Sequence, residues 1–448
     1  MKRLVACLSA AGLLFYVQST VSASSSVTNI LSQPLSLVEA VNIALDRNPA
    51  VLKSQKELQA SHGISVQTRA IALPSVRLTG QYQIQDQALV ETFTSLRQDQ
   101  NWGVGVRLVQ SFYEGGRIKS SLRSAKLTLQ QAQLRHQDVL LETVLLTETT
   151  YFDILLAAEQ IEVQQASVKL LEQQLNDTKR RFEAGVVPQF NVLRAEVEVA
   201  NTRPRLIRAR NSYRIAKNNL ANTLGYDLPS TVWEDIPLNL TTPLAETPYK
   251  IDLQEALNQA LTNRTDLAAN RKALLAREED IKFAKAANYP SLQGFVGYDV
   301  RNSILTDDLS VEKNGWVAGA QLSWDLFDGL RTQGKVEEAR ARFDQAEIAV
   351  DELRRGIELD VRTAFSNFNE AREVLESNRK VLEQAAEALR LATSRYSAGT
   401  GTQLDVLSAQ TALTDARSTQ VQALRDYQVS VARFERVVGL SRPVAARK

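Results

Sequence analysis

Leu35-Ser36-Leu37-Val38-Glu39-Ala40-Val41, followed by Ala44-Leu45, returns farther along the chain as Ile251-Asp252-Leu253-Gln254-Glu255-Ala256-Leu257, followed by Ala260-Leu261. Pro74-Ser75 and Tyr82 return as Pro290-Ser291 and Tyr298 at the same separation. After a two-residue deletion, Trp102, Gly105, Leu108, Gly115 and Arg117 correspond to Trp316, Gly319, Leu322, Gly329 and Arg331. The register continues through Arg181-Phe182-x-Ala184-Gly185 and Arg395-Tyr396-x-Ala398-Gly399, and through Tyr213 and Tyr427. Self-similarity of this extent marks two tandem copies of one structural unit. The first spans 24–227 and the second 251–440, and the segment 228–250 that joins them carries Pro229, Pro237, Pro243 and Pro248. Residues 441–448 form a short C-terminal tail.

Each copy predicts helix, strand, strand, very long helix, helix. Residues 117–182 contain neither Gly nor Pro, and the matching stretch 331–396 contains only Gly334 and Gly356. Ile118, Leu122, Ala125, Leu129, Ala132 and Val139 follow the four-three spacing of a coiled-coil seam. So do Val336, Ala339, Phe343, Ala346, Val350, Leu353 and Ile357, with His136 standing where the second copy has Val350. At 1.5 Å per residue such a helix is about 100 Å long, too long for a globule. Single helices are expected over 37–73 and 187–224, each about half that length, so that two of them stacked match one long helix. Pro204 predicts a kink in the first copy alone.

The intervening hairpins, 75–111 and 291–327, alternate with period two. Val76, Leu78, Tyr82 and Ile84 share one face, as do Trp102, Val104, Val106 and Leu108, and likewise Trp316, Ala318, Ala320, Leu322, Trp324 and Leu326. Polar residues such as Arg77, Thr79, Gln81 and Gln83 take the opposite face. About ten alternating residues with aromatics on the apolar side is the pattern of a transmembrane β-strand. It also fits an amphipathic hairpin on a water-soluble core, but no element of the sequence is available to cover that apolar face.

The amino terminus supports export. Lys2 and Arg3 precede an apolar run over 4–17, and Val21-Ser22-Ala23 supplies small residues for cleavage, so 1–23 reads as a signal peptide. Cys7 precedes the end of the apolar run and does not close it, which argues against a lipid anchor. Its removal with Met1 leaves no thiol for disulfides or thiolate metal sites. Without Lys2 and Arg3 the 53 basic residues fall to 51, equal to the 51 acidic ones, which lacks the footprint of a nucleic-acid binder. His62 and His136 lie far apart in helical stretches, and Gly103-Val104-Gly105 lacks the context of a dinucleotide loop. No catalytic, cofactor-binding or metal-binding residues are therefore assigned, no cofactor is expected, and the protein is read as no enzyme.

Four strands cannot close a barrel, and lipid tolerates no open sheet edge, so several chains must share one. Two chains would supply eight strands around a filled interior, whereas three would supply twelve around a lumen. The fold class expected is mainly α, with a small membrane β-barrel: a long α-helical coiled-coil barrel plus four strands per chain, the trimer sharing a 12-stranded barrel.

Taken together, the Leu-x-Glu-Ala-(Val/Leu)-x-x-Ala-Leu openings at Leu37 and Leu253 and the strand entries at Pro74 and Pro290 carry a family resemblance. Phe112-Tyr113-Glu114-Gly115-Gly116, Leu326-Phe327-Asp328-Gly329 and the turns at Phe182 and Tyr396 complete it. Nearly the whole mature chain resembles the TolC family of outer-membrane efflux proteins. The resemblance implies a homotrimeric exit duct in outer-membrane lipid, with a large periplasmic portion. It would be coupled through a periplasmic adaptor (a membrane fusion protein) to an inner-membrane transporter, in a tripartite efflux pump or type I secretion system. The alternative is a periplasmic coiled-coil adaptor or structural protein without a pore. The resemblance also implies that Ala184, Gly185, Val186, Ala398, Gly399 and Thr400 form the adaptor-docking tip. It places Asp405 and Tyr396 at the periplasmic constriction, with Ser408 and Asn191 at positions where an acid is expected and Gly401 at that of a basic partner. Thr402-Gln403-Leu404-Asp405 also fits a capping box. Three Asp405 carboxylates near one axis would attract multivalent cations and resist full ionisation.

Overall fold

The computed structural model describes residues 34–86, 99–226, 236–303 and 308–440. The signal peptide, the linker residues 228–235 and the tail 441–448 lie outside them.

Two helices open the chain where one was expected. Helix α1 (Leu37–Arg47) begins in a capping box, the Ser36 amide donating to the Glu39 carboxylate at 2.8 Å. It stops at Asn48, and α2 (Pro49–Ala70) then starts with proline in its first turn. Proline disfavours a helical conformation in the residue before it, and Asn48 is extended at φ −59°, ψ 129°. Its amide donates 2.7 Å to the Thr223 carbonyl, while its side-chain oxygen caps Ala50. The same break divides α5 (Leu253–Asn263) from α6 (Thr265–Lys285) in the second copy. No proline causes that one; Arg264 is extended there, and its guanidinium binds Asp266 at 2.6 Å and Asp360 at 3.0 Å.

The long helices are α3 (Arg117–Glu183) and α7 (Arg331–Ser397), both 67 residues. Their shorter partners are α4 (Gln189–Thr223) and α8 (Gln403–Val438). Helix α4 continues through Pro204, so the chain is not divided there; the ring lies on an exposed face, where no packed neighbour meets it. Helix α3 packs against α2 and α4, and also against α6 and α8, whereas α7 packs against α6 and α8. In-chain order is therefore α2 with α4, then α3, then α6 with α8, then α7.

Four strands form one antiparallel sheet. They are β2 (Ser75–Ile84), β3 (Gln100–Glu114), β5 (Ser291–Asn302) and β6 (Glu312–Ser323), in the order β2-β3-β5-β6. The two expected hairpins are thus joined edge to edge, because β3 pairs with β5 across the two copies. The first hairpin extends past 111 to Glu114, while the second ends at Ser323, leaving Trp324 and Leu326 beyond it. A short parallel pair, β1 (Pro34–Leu35) with β4 (Asn239–Leu240), ties the chain's start to the linker.

The core sits at the middle of the helical column. Tyr151, Phe152, Ile154, Leu220 and Leu224 pack with Ile236 and Leu238 of the linker in one cluster. Phe368, Leu375 and Tyr427 form another, against Tyr249 and Ile251. The linker is fastened there by polar bonds as well: the Thr242 amide donates to Tyr151 Oη at 3.2 Å, and Tyr427 Oη donates to the Thr247 carbonyl at 2.8 Å. The expected seam residue His136 is satisfied by Ser54, Nδ1 to Oγ 2.7 Å, so a polar pair replaces the apolar contact of Val350. No helix among the described residues is long and apolar enough to cross a membrane.

Candidate functional site

The two ends of the column, where the side chains are exposed, carry the candidate site residues. At one end the sheet register sorts residues by face. Tyr82 lies opposite Trp102, Leu78 opposite Val106, and Val76 opposite Leu108. Val106 in turn faces Tyr298, which faces Trp316, and Leu292 faces Leu322. These belong to one continuous apolar face, and it is bare: Leu78 is 69% exposed, Trp316 78% and Leu322 67%. Contiguous apolar surface of this extent requires a non-aqueous partner. Where strands meet helices, Phe112, Tyr113, Trp324 and Phe327 are also exposed, as in an aromatic girdle at a membrane interface.

At the opposite end lie two tight turns. Gly185 has φ +72° and Gly399 φ +76°, the left-handed conformation that ends a helix without strain only in glycine. The Val186 amide donates back to the Arg181 carbonyl at 2.8 Å, and that of Thr400 to Arg395 at 3.0 Å. Ala184, Gly185 and Val186 are exposed, as are Ala398, Gly399 and Thr400. Phe182 and Phe190 add exposed rings to the first turn.

Asp405 is exposed, and its carboxylate accepts from the Thr402 amide at 2.9 Å and hydroxyl at 2.7 Å. Those bonds, the amide first, hold its carboxyl below the usual aspartate value of 3.8, and the Arg395 cation adds to them. Ser408 spends its hydroxyl on the Asp405 carbonyl at 3.0 Å, so it does not extend the carboxylate. Asn191, at the first-copy position of Asp405, closes no capping box, since the N-cap residue of α4 is Pro188 and the helix has no side-chain cap. Its carbonyl accepts from Gln403 Nε2 at 3.2 Å, which also reaches Thr178 Oγ1 at 3.3 Å. The Tyr396 ring is covered by the Arg181 guanidinium, 4.7 Å from its centroid, and the Tyr396 hydroxyl is buried without a partner. Gln403 and Arg181 thus join the two helical hairpins at the tip. Arg181 was visible as the repeat partner of Arg395, but its stacking on the other copy's tyrosine could not be inferred from spacing.

A sheet with one apolar and one polar face, set on exported helical hairpins, defines a duct of the outer membrane. The sequence profile of the outer membrane efflux protein family matches residues 40–226 and again 256–440, and the chain belongs to that family. It is 25% identical over 434 residues to the outer membrane protein TolC of Escherichia coli, covering 91% of this chain and 83% of TolC. It is 26% identical to protein CyaE of Bordetella pertussis, covering 86% of this chain and 80% of CyaE. The fold matches that of the outer membrane protein VceC of Vibrio cholerae with a TM-score of 0.75 at 18% identity, over 90% of this chain and 96% of VceC. The protein is an outer-membrane exit duct for efflux or secretion with a large periplasmic helical portion, and the reading as an adaptor without a pore is set aside.

Proposed function

We propose that three copies of this chain close one 12-stranded barrel and one helical tube, and that the Gly185 and Gly399 turns form its periplasmic entrance. The turns would meet a periplasmic adaptor, which links the duct to an inner-membrane transporter. The observation that carries this reading is the sheet: β2 and β6 are both unpaired edges beside a bare apolar face. In lipid those edges must be paired, and twelve strands leave the lumen that a duct needs. Exposed Phe182, Val186 and Phe190 offer an adaptor apolar contact at the tip. Asp405 would line the entrance, with Tyr396, Asn191 and Ser408 around it.

Cross-linking in cells followed by fractionation tests the assembly, with trimers in the outer membrane expected. Monomers alone, or recovery from the soluble periplasm, would refute it. Docking is tested by Gly185→Pro and Gly399→Pro. Proline fixes φ near −65° and lacks the N–H that each glycine donates, to Phe182 at 2.9 Å and to Tyr396 at 3.2 Å. Export should be abolished while trimers remain in the membrane; unchanged export would remove the tip from the docking assignment.

A further inference from the structure

The polar face of the sheet carries a charge pattern that a duct does not require. Within the four strands, Arg77, Arg107, Asp299, Arg301 and Lys313 all fall on the face opposite Leu78 and Trp316. The apolar face carries only Glu312, at the first position of β6. Glu114, the last residue of β3, shares that polar face opposite Ser291 but is paired with Arg117, so four basic residues stand there against two acidic ones, of which only Asp299 is free of the helix end.

Their register is more telling than their number. Arg77 is directly opposite Arg107, and Arg301 is directly opposite Lys313. Like charges facing each other across an antiparallel pair destabilise it, and here this occurs twice on one face. On its other flank each tier meets a glycine, Gly297 beside Arg107 and Gly103 beside Arg301. Around Gly297 the neighbours Phe295 and Asp299 flank Arg107, its guanidinium lying 5.7 Å from the Phe295 ring centroid. Asp299 lies 3.9 Å from Arg107, and among the described residues Arg77, Arg301 and Lys313 form no ion pair. A hollow of about 570 Å³ adjoins the second tier, lined among others by Thr79, Gln81, Gly103, Arg301 and Lys313, with Asp299 on the side toward the first tier. The tiers are four residues apart along β5, about 14 Å. Arg77 and Arg107 lie toward the helices, whereas Arg301 and Lys313 lie toward the outer mouth. Asp86, Asp99, Asp308 and Glu312 stand around that mouth.

We infer that the barrel lumen is a two-tier anion site, which concentrates polyanionic solutes bearing phosphate, sulfonate or carboxylate groups at the outer half of the duct. The inference rests on the trimeric duct proposed above, in which the polar face lines the lumen and twelve cations face three Asp299 carboxylates, the three Glu114 carboxylates being held by Arg117 at the helix end. Arginine and lysine on a water-filled lumen keep their hydration, and a narrow passage of one sign focuses counter-ions. The mutual repulsion within each tier is relieved when an anion bridges its two cations. The duct would then have opposite polarity at its two ends, acidic at the Asp405 entrance and basic in the barrel.

The test is single-channel recording of purified trimer in a planar bilayer, with tripolyphosphate added to one chamber at a time. Block is expected from the barrel side, weaker from the helical side, and weaker again when salt rises from 0.1 M to 1 M, as the screening length falls from about 10 Å to about 3 Å. The pair of substitutions Arg301→Gln and Lys313→Gln should raise the blocking concentration about tenfold or more. Arg77→Gln with Arg107→Gln should do the same independently. Removing one cation from each opposed pair relieves repulsion, so the single variants Arg301→Gln and Arg77→Gln provide a milder version that keeps the sheet paired. Conducting channels with no barrel-side block, or block equal in wild type and all variants, would overturn the anion site while leaving the duct intact. Wild-type protein that never conducts would overturn the duct itself, and with it this inference.

Discussion

Helices α3 and α7 have the same length and the same place in the repeat, yet thirteen residues of α3 are buried and only five of α7. The backbone cannot account for this, since both begin after a left-handed Gly-containing turn and end at a left-handed glycine. Neighbours account for it. α3 runs between two sets of helices, whereas α7 lies at the edge of the chain and packs against α5, α6 and α8, all from the second copy. Its bare flank carries Ile348, Leu359, Val374, Val381 and Leu391, spaced by multiples of a helical turn, and the opposite edge of the chain carries Leu193, Val197, Ile207 and Ile215 on α4. The difference between copies therefore reports the subunit boundary: α7 lacks inside the chain the neighbour that α3 has, and a second copy would supply it.

The largest effect is expected from breaking that boundary. Val381→Glu and Ile207→Glu sit at the 46% and 66% exposed positions of the two edges. In an isolated chain each should change folding stability by no more than about 0.5 kcal/mol. In a trimer each would bury an unpaired carboxylate, which costs several kcal/mol. Trimers on native gels should fall at least tenfold with helicity by circular dichroism unchanged; full trimer recovery would mean that α4 and α7 do not meet.

The repeats also differ where strand passes into helix, and this gives a second test. Gly115 has φ +60°, and a Cβ there would lie 2.4 Å from the Ala286 carbonyl and 2.8 Å from Tyr289 Cβ. Its counterpart Gly329 has φ +70° with nothing within 4 Å. Gly115→Ala should cost about 3 kcal/mol, a left-handed penalty plus overpacking, and Gly329→Ala only the penalty of about 1–2 kcal/mol. The next residue reverses the comparison. Gly116 is relaxed at φ +93°, but the second copy places Leu330 at φ +69°, the one non-glycine with positive φ among the described residues. Leu330→Gly should therefore stabilise by up to about 1 kcal/mol, read from the denaturant midpoint, and an unchanged or lower midpoint would show that its exposed side chain contributes more in lipid than the backbone loses.

Much of this is legible in the amino-acid sequence alone. The stretches after Arg117 and Arg331 gave the long helices, because they hold no Pro and only Gly334 and Gly356 among good helix formers. Alternation assigned Tyr82 and Trp102 to one face, but alternation fixes faces and not neighbours, so the joining of β3 to β5 was invisible. Pro49 was a readable signal for the break at Asn48. The break at Arg264 was not, since it depends on Asp360 from another helix. At the tip, Gly185, Gly399 and the Thr402–Asp405 cap were local and could be read. The contact of Arg181 with Tyr396 joins distant parts of the chain, and nothing local encodes it.

The smallest effect, and the sharpest comparison, is at the two turns themselves. Asp405→Asn makes the second turn resemble the first, where Asn191 occupies the same place and α4 starts without a side-chain cap. Because α4 forms regardless, α8 should also form in the variant, which separates the capping role from the charge. If three carboxylates line the entrance, wild-type channels should show a modest preference for cations entering from the periplasmic side and weak block by a trivalent cation. Asp405→Asn should lose both. The pH dependence has a definite sign. Thr402 and Arg395 hold the folded carboxyl below 3.8, so the cap and the charge are present above that pH and are lost as pH falls further, through the folded value. A transition above 3.8 in the trimer would mean that repulsion among the carboxylates outweighs the cap, placing them close together on the axis. Equal selectivity and block in both proteins, with α8 intact, would leave Asp405 with the cap alone and the entrance without its proposed acidic ring.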